Sequence, residues 1–392
     1  MSTLKVDAIR HNSATSDAIT TAADGTCTAK ITGMTGGGAL SHRNIIINGD
    51  FKVNQRGQTS STISGYGTVD RFETTIDTGD SNLMTQSHNT LSSSDTPYSS
   101  GFRKSFKLTN HSSGQSADAA DYAALRYIVE AQDIANCGWN FTSSSSNITL
   151  SFWVKASVSQ NYLLQVRSYD GTAQRISFLI NLTAGQWTKV TKKIPGNSGI
   201  TIDNDNGGGL HILWCTYFGS NYSSGSTTDV WQSGTPSPVF PTTWYTTNDA
   251  TFEITGVQLE FGDTATSFEF RNFGEELNRC QRYYQQFIGI SDQAALGFGR
   301  SNGTTIAECN VPLSVPLRAS PILNSCNWAV FTATNQSNVS NTTPSVRKWD
   351  AHSNMLAIGI AGLSGMTNAR TLTVYLNSSH TFSMDAELKY NS

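Results

Sequence analysis

Apolar side chains recur at every second position in several short runs, and that period of two predicts half-buried strands. In "RNIIINGDFKV", Ile45, Ile47, Gly49, Phe51 and Val53 fall on one face. In "NITLSFWVKAS", Ile148, Leu150, Phe152 and Val154 alternate with Thr149, Ser151 and Trp153. "RISFLINL" repeats the pattern with Ile176, Phe178, Ile180 and Leu182, and "LHILWCTYF" with Leu210, Ile212, Trp214 and Phe218. Turn-rich stretches such as "SYDGTAQ" and "DNDNGGG" separate these runs. The pattern predicts a β-sandwich of about eight or more strands, with a jelly-roll topology expected.

One stretch changes period. In "FEITGVQLEF", Phe252 and Ile254 alternate in one phase and Val257, Leu259 and Phe261 in the other. A β-bulge at Thr255-Gly256 would restore the apolar set to the core face. "RNFGEELNRCQRYYQQF" follows, with Asn272 three residues before Glu275 as a capping box. Leu277, Cys280, Tyr284 and Phe287 then form a helical stripe. Glu275, Glu276, Arg279 and Arg282 are expected on the exposed face of that helix. Beyond it, "RTLTVYLN" puts Leu372, Val374 and Leu376 on one face, while Val311-Pro312 and Val315-Pro316 restrict strands to edges or short pieces.

The expected fold is therefore all-β: a strand-poor N-terminal arm over residues 1–42, a large jelly-roll β-sandwich over 43–271, a connecting helix over 272–287 and a smaller C-terminal β-sandwich over 288–392. The arm, with its glycine run Gly36, Gly37 and Gly38, has little to pack by itself and suits an attachment role.

Composition sharpens this picture. Only 14% of the 392 residues are charged, against about 25% in ordinary soluble domains. Abundant Ser, Thr, Asn and Gly supply polarity instead, which suits turns and an extracellular or virion surface. A net charge of −3 without a basic tract argues against nucleic-acid binding. No apolar run reaches the length of a membrane span, and the first 25 residues lack the apolar core of a secretory signal. A virion component released by lysis fits that combination. The six cysteines, Cys27, Cys137, Cys215, Cys280, Cys309 and Cys326, form no CxxC pair and are expected as small buried hydrophobes.

Candidate chemistry is sparse. The chain has no GxSxG, HExxH or P-loop motif, and its seven histidines are scattered singly, so no enzyme is expected. Asp203 and Asp205 in "DNDNGGG" offer oxygen ligands, but the acidic residue that would complete an EF-hand is missing, which favours a plain turn. For sugar binding, exposed aromatic faces beside Asn, Gln and Asp are the group to seek. Tyr222, Trp231 and Trp244, in the loop-rich stretch from Tyr217 to Trp244, are the glycan-binding candidates. The competing reading is that they plug the sandwich ends or a subunit interface. Trp187 and Trp214 are expected in the core, and Trp153 on the opposite face of its strand.

Two motifs carry a family resemblance. "RNIIINGDFKVNQRGQ" followed by "YGTVDRFE" resembles the start of the sandwich domain in tail-fibre and virion structural proteins of tailed bacteriophages, marine ones especially. "FEITGVQLEFGDTATSFEFRNFGEELNRCQRYYQ" resembles its end, and "ITLSFWVKAS" and "GQWTKVTKKIPG" match between them. The likeness spans roughly residues 43 to 287, with Phe72 where that family often has Trp and Ser267 where it has Pro. The central domain also resembles carbohydrate-binding-module jelly rolls. By analogy with those modules a structural Ca²⁺ near the first and last strands would fall to Asn48, Asp50 and Glu260.

What the resemblance implies is a non-enzymatic virion appendage, tail-fibre-like and homotrimeric. The arm would contact other virion or tail proteins, and the outer domains a host-surface glycan or receptor. A head-surface fibre or connector is the structural alternative. A glycan depolymerase, with carboxylates drawn from distant strands, is the enzymatic one.

Overall fold

The computed structural model describes residues 6–10, 12–13, 15–21, 23, 27–29, 42–77, 84–111, 116–223, 225, 227–234, 237–239, 241–289, 294–332, 336–377 and 380–389. Three short strands, β1 (Ala8–Ile9), β2 (Ile19–Thr21) and β3 (Cys27–Ala29), make a small antiparallel sheet in the arm. Gly36, Gly37 and Gly38 and the Cys27 side chain lie outside the described residues.

The central domain runs through β4 (Ser60–Ser61), β5 (Phe72–Asp77), β6 (Met84–Thr90), β7 (Lys104–Asn110), β8 (Tyr122–Glu130), β9 (Asn147–Ala156), β10 (Gln160–Ser168), β11 (Gln174–Leu182), β12 (Thr188–Pro195), β13 (Gly208–Phe218), β14 (Trp231–Ser233) and β15 (Ala250–Phe261). They form two six-stranded sheets, in the orders β14-β11-β10-β13-β8-β5 and β12-β9-β15-β7-β6-β4. The chain crosses repeatedly between the sheets, as a jelly roll requires. Ile148, Leu150, Phe152 and Val154 meet Ile176, Phe178, Ile180, Ile212 and Trp214 in one core. Phe72 sits at its centre, 4.6 Å from Phe51 and 6.2 Å from Trp214 between ring centroids. The expected bulge is present: register slips between Thr255 and Gln258, and Gly256 takes φ +63°, where L side chains are strained. Phe261, at the end of β15, is exposed instead of joining the core.

The segment read as a first strand, "RNIIINGDFKV", is not one. Positive φ at Asn48 (62°) and Phe51 (56°) breaks the alternation. Ile46 and Phe51 enter the sandwich core, whereas Ile47 and Val53 enter a separate cluster with Ile128, Cys280 and Tyr283. The segment docks on β15 through Ile45 N–H to the Leu259 carbonyl and Val257 N–H to the Gly49 carbonyl, both 2.9 Å. Gly49 is needed there, because a Cβ would lie 2.0 Å from the Val257 oxygen.

The helix also differs from expectation. It spans Phe273–Gln281, capped by Asn272 Oδ1 accepting from Glu275 N–H at 2.8 Å, and the chain then turns into strand at Tyr284. Tyr284 and Phe287 therefore lie on a strand. Glu276 faces inward: it is buried, accepts from Asn48 N–H, and lies 3.4 Å from Arg271.

The remaining strands are β16 (Tyr284–Ile288), β17 (Ala294–Asn302), β18 (Ile306–Pro312), β19 (Ile322–Leu323), β20 (Cys326–Thr332), β21 (Gln336–Thr342), β22 (Ser345–Lys348), β23 (Met355–Ile360), β24 (Thr371–Leu376) and β25 (Thr381–Asp385). They form a seven-stranded sheet, β21-β20-β24-β17-β18-β23-β22, and a three-stranded one, β16-β25-β19, around a second core that includes Leu372, Val374 and Leu376. β18 lies inside the larger sheet, and Pro312 is tolerated because it ends the strand.

The motifs that carry the family resemblance converge between these two cores. Arg71, of "VDRF", is fully buried, pairs with Glu387 and donates to the Ile128 carbonyl at 2.7 Å. Its guanidinium lies 3.5 Å from the Tyr283 ring centroid. Arg56, of "NQRG", reaches Asp70 at 3.1 Å and Glu387 at 3.5 Å, and sits 4.0 Å over Tyr284 of "CQRYY". Glu130 accepts from Arg282 at 2.6 Å and from the Tyr283 hydroxyl. Buried charges are costly unless paired and hydrogen-bonded. In this chain the charges of the three motifs are met by one another and by Glu130 and Glu387.

Candidate functional site

The outer face of the β14-β11-β10-β13-β8-β5 sheet carries a cleft of about 430 Å³, lined by Thr75, Asp77, Tyr122, Arg126, Arg167, Leu213, Phe218 and Tyr222. Its placement follows from a bulge. Leu210, Ile212 and Trp214 point inward as their alternation predicts, but the register of β13 on β8 slips between Cys215 and Tyr217. The extra residue, Thr216, ties its hydroxyl to the Ala123 carbonyl at 3.0 Å. Tyr217 thereby joins the core and Phe218, expected with the inward set, turns to the outer face.

Three aromatic rings make one end of the cleft. Tyr122 lies 5.2 Å from Tyr222 and 6.3 Å from Phe218, both edge-on at 86°. Tyr222 is held beside Tyr122 by the turn after β13. Gly219 N–H donates to the Asp121 carbonyl at 2.8 Å and Asn221 N–H to the Ala119 carbonyl at 3.0 Å. A Cβ on Gly219 would meet the Asp118 and Ala119 oxygens at 2.4 Å, so only glycine lets the two turns approach.

The other end is cationic. Arg126 is tied to Glu73 at 2.7 Å on the neighbouring strand. Arg167 is braced by Gln165 Oε1 and by the Tyr169 hydroxyl, and its guanidinium lies 5.7 Å from the Phe218 centroid. His211, across from Arg167 in register, is buried, and burial together with Arg126 and Arg167 pushes its imidazole down to about 3. It is neutral at pH 7 and adds no charge to the cleft.

Of the predicted glycan-binding residues, Tyr222 alone lies in this cleft. Trp244 has no exposed surface: it sits in a short helix (Thr243–Thr246) that closes the sandwich, with its backbone N–H on Gln160 Oε1 at 2.9 Å. Trp231 packs at the sandwich edge, its indole N–H donating to the Pro195 carbonyl at 2.7 Å. The plugging alternative describes both. Trp187, expected in the core, is half-buried; its indole N–H bonds Asp95 at 2.7 Å, and Lys155 lies 4.6 Å over its ring. Trp153 lines a separate cavity with Phe102, Phe268 and Phe270 on the outer face of the other sheet.

The suggested Ca²⁺ ligands are otherwise engaged. Asn48 bonds Val53 and Asp70 backbone atoms, Asp50 pairs with Lys52 at 2.8 Å, and Glu260 accepts from Thr266 N–H and hydroxyl. Asp205 Oδ1 accepts from Gly207 N–H at 2.8 Å, closing the turn expected of "DNDNGGG". No cluster of three or more His, Cys, Asp or Glu suited to a metal occurs among the described residues. Cys215, Cys280, Cys309 and Cys326 are buried, as expected, and Cys137 is partly so.

Tyr122, Arg126 and Arg167 escaped the sequence reading, although a signal exists. In "DYAALRYIV", Ala123, Leu125, Tyr127 and Val129 are the inward phase, which leaves Tyr122, Ala124 and Arg126 facing out. An outward phase that pairs an aromatic with an arginine is unusual enough to mark.

No protein-family model matches the chain, and no curated protein does. Solved structures similar to it include the CBM22-1 xylan-binding domain of Paenibacillus barcinonensis Xyn10C, at 12% identity and TM-score 0.25, covering 49% of this chain and 87% of that one. A putative sugar binding protein from Bacteroides thetaiotaomicron is similar at 11% identity and TM-score 0.29, covering 56% and 100%. The family 11 carbohydrate-binding module from Clostridium thermocellum, solved with a β-1,3-1,4-mixed-linked tetrasaccharide, is similar at 11% identity and TM-score 0.24, covering 53% and 97%.

Proposed function

We propose that this chain is a non-enzymatic, tail-fibre-like appendage protein of a tailed bacteriophage, whose central sandwich binds a host-surface glycan in the cleft of Tyr122, Phe218 and Tyr222. The observation that carries the binding role is the cleft itself. Rings at one end offer apolar faces to sugar C–H groups, and Asp77, Thr75 and the arginines offer hydrogen bonds to hydroxyls. All of these groups except Tyr222 sit on strands of one sheet, which sets their spacing before binding. The phage assignment is supported by "QRG", "VDRF" and "CQRYY", which serve the architecture of the molecule and therefore mark a shared build rather than a shared reaction.

Binding of the purified chain to immobilised oligosaccharides, with and without Tyr222→Ala, tests the site. Retention of a glycan by the parent and its loss in the variant is the expected result. Equal retention by both would move the site elsewhere. Gold-labelled antibody on intact phage particles tests the location: label on tails is expected, and label confined to heads would make the chain a head fibre. Homotrimer formation, part of the same proposal, is read by light scattering.

A further inference from the structure

We infer that the cleft selects an anionic sugar, a ring bearing a carboxylate or a sulfate ester, and that Arg167 is the residue that recognises the anion. This rests on the glycan-binding reading of the same cleft.

The two arginines are not equivalent. Arg126 already has a carboxylate, Glu73, at 2.7 Å, with both side chains nearly buried. Arg167 has none within ion-pair distance among the described residues, although it is half-buried beside an apolar wall. Leaving a guanidinium so placed is unfavourable unless something else meets its charge. It is also held in position. Nε donates to Gln165 Oε1 and Nη1 to the Tyr169 hydroxyl at 2.9 Å. Gln165 is itself fully buried and fixed through Nε2 to Ser177 Oγ (2.9 Å) and Ser237 Oγ (2.8 Å). Ordering a guanidinium through a buried amide lowers the entropy lost on binding. Nη2 has no partner among the described residues, and a guanidinium edge suits a planar carboxylate or a sulfate oxygen pair.

The other charges leave that role open. Asp77 stands at the far rim, on β5 beside Tyr122 and three strands from Arg167 on β10, so at least about 14 Å separates the two backbones. His211 lies next to Arg167 in register but is neutral. With Arg126 met by Glu73 and Asp77 at the opposite rim, Arg167 carries the unpaired positive charge at its end of the cleft. A ring stacked at Tyr122 and Tyr222 would bring its substituent toward Arg167, across Phe218.

The test is an oligosaccharide array of matched pairs, each uronate beside its methyl ester and each sulfated ring beside its desulfated form, followed by calorimetry on the pair that binds best. The full chain should prefer one anionic member by about tenfold or more, since hydrogen bonds to charged groups are worth that much. Preference for the uronate assigns a carboxylate, and preference for the sulfated ring assigns a sulfate ester. Arg167→Gln should erase the preference, so that both members bind the variant with equal affinity. Arg167→Lys should restore part of it. Tyr222→Ala should weaken both members alike. The melting temperature of each variant checks folding. If neutral and anionic members bind equally, with both lost in Tyr222→Ala, the anion inference falls and the glycan site stands. If nothing on the array binds, both fall.

Discussion

Arg71 and Glu387, separated by 316 positions, form an ion pair in which neither side chain has exposed surface. Arg71 also caps the Ile128 carbonyl and stacks on Tyr283, and Glu387 is shared with Arg56. The pair ties the sandwich to the C-terminal part of the chain.

Removing one member should be worse than removing both. Glu387→Gln leaves Arg71 buried without its counter-charge, and a loss of about 3–5 kcal/mol is expected. Arg71→Met with Glu387→Leu should recover a large part of that loss. Urea unfolding of the parent, the single variant and the double variant gives the comparison. A single variant as stable as the parent would show that the pair contributes nothing.

Trp244 and Tyr222 separate structure from binding. Trp244→Ala empties a core position and should cost about 3–5 kcal/mol. Tyr222→Ala removes a ring that is 37% exposed, and should leave the thermal midpoint within a few degrees while weakening glycan retention. Differential scanning fluorimetry and the binding assay, run on both variants, resolve the two effects.

His211 sets a pH dependence. Its folded value is depressed to about 3, below the 6.5 of the unfolded chain, so the unfolded state binds more protons between those values. Its contribution to stability is complete above pH 6.5 and is lost as the pH falls toward 3. The loss is on the order of a few kcal/mol. His211→Gln should flatten the urea midpoint over that window. A parent and variant with parallel pH curves would refute the burial cost.

Gly49 is a steric requirement. Gly49→Ala places a Cβ against the Val257 oxygen and should displace the segment that docks on β15. A destabilisation of about 2 kcal/mol or more is expected from such a backbone clash. Faster exchange of the Ile45 and Val257 amides, which make the docking bonds, is the specific readout.

The inward phases of the strands were legible because burial on one face imposes alternation over a whole run. What escaped was whatever a single inserted residue or a distant partner decides. Thr216 reverses the facing of Phe218, and no pattern within "LHILWCTYF" announces it. Asn48 and Phe51 adopt positive φ, which breaks an apolar alternation that looks strand-like in print. "QRG" and "CQRYY" were recognisable as motifs, but much of their reason for being charged lies far along the chain: Glu130, 152 positions away, for Arg282, and Tyr284 and Glu387 for Arg56. Trp244 was misplaced because polar neighbours in sequence say little about a side chain that turns into the sandwich.

The span between Arg71 and Glu387 also sets a clock. At a synthesis rate of about 5–20 residues per second, roughly 15–60 s pass between the emergence of the two residues. All the strands of the sandwich except β4 are made within that interval, yet the arginine at its base waits for its counter-ion. Until then the nascent domain must keep Arg71 hydrated, and its assembly is held open for the part of the chain that follows.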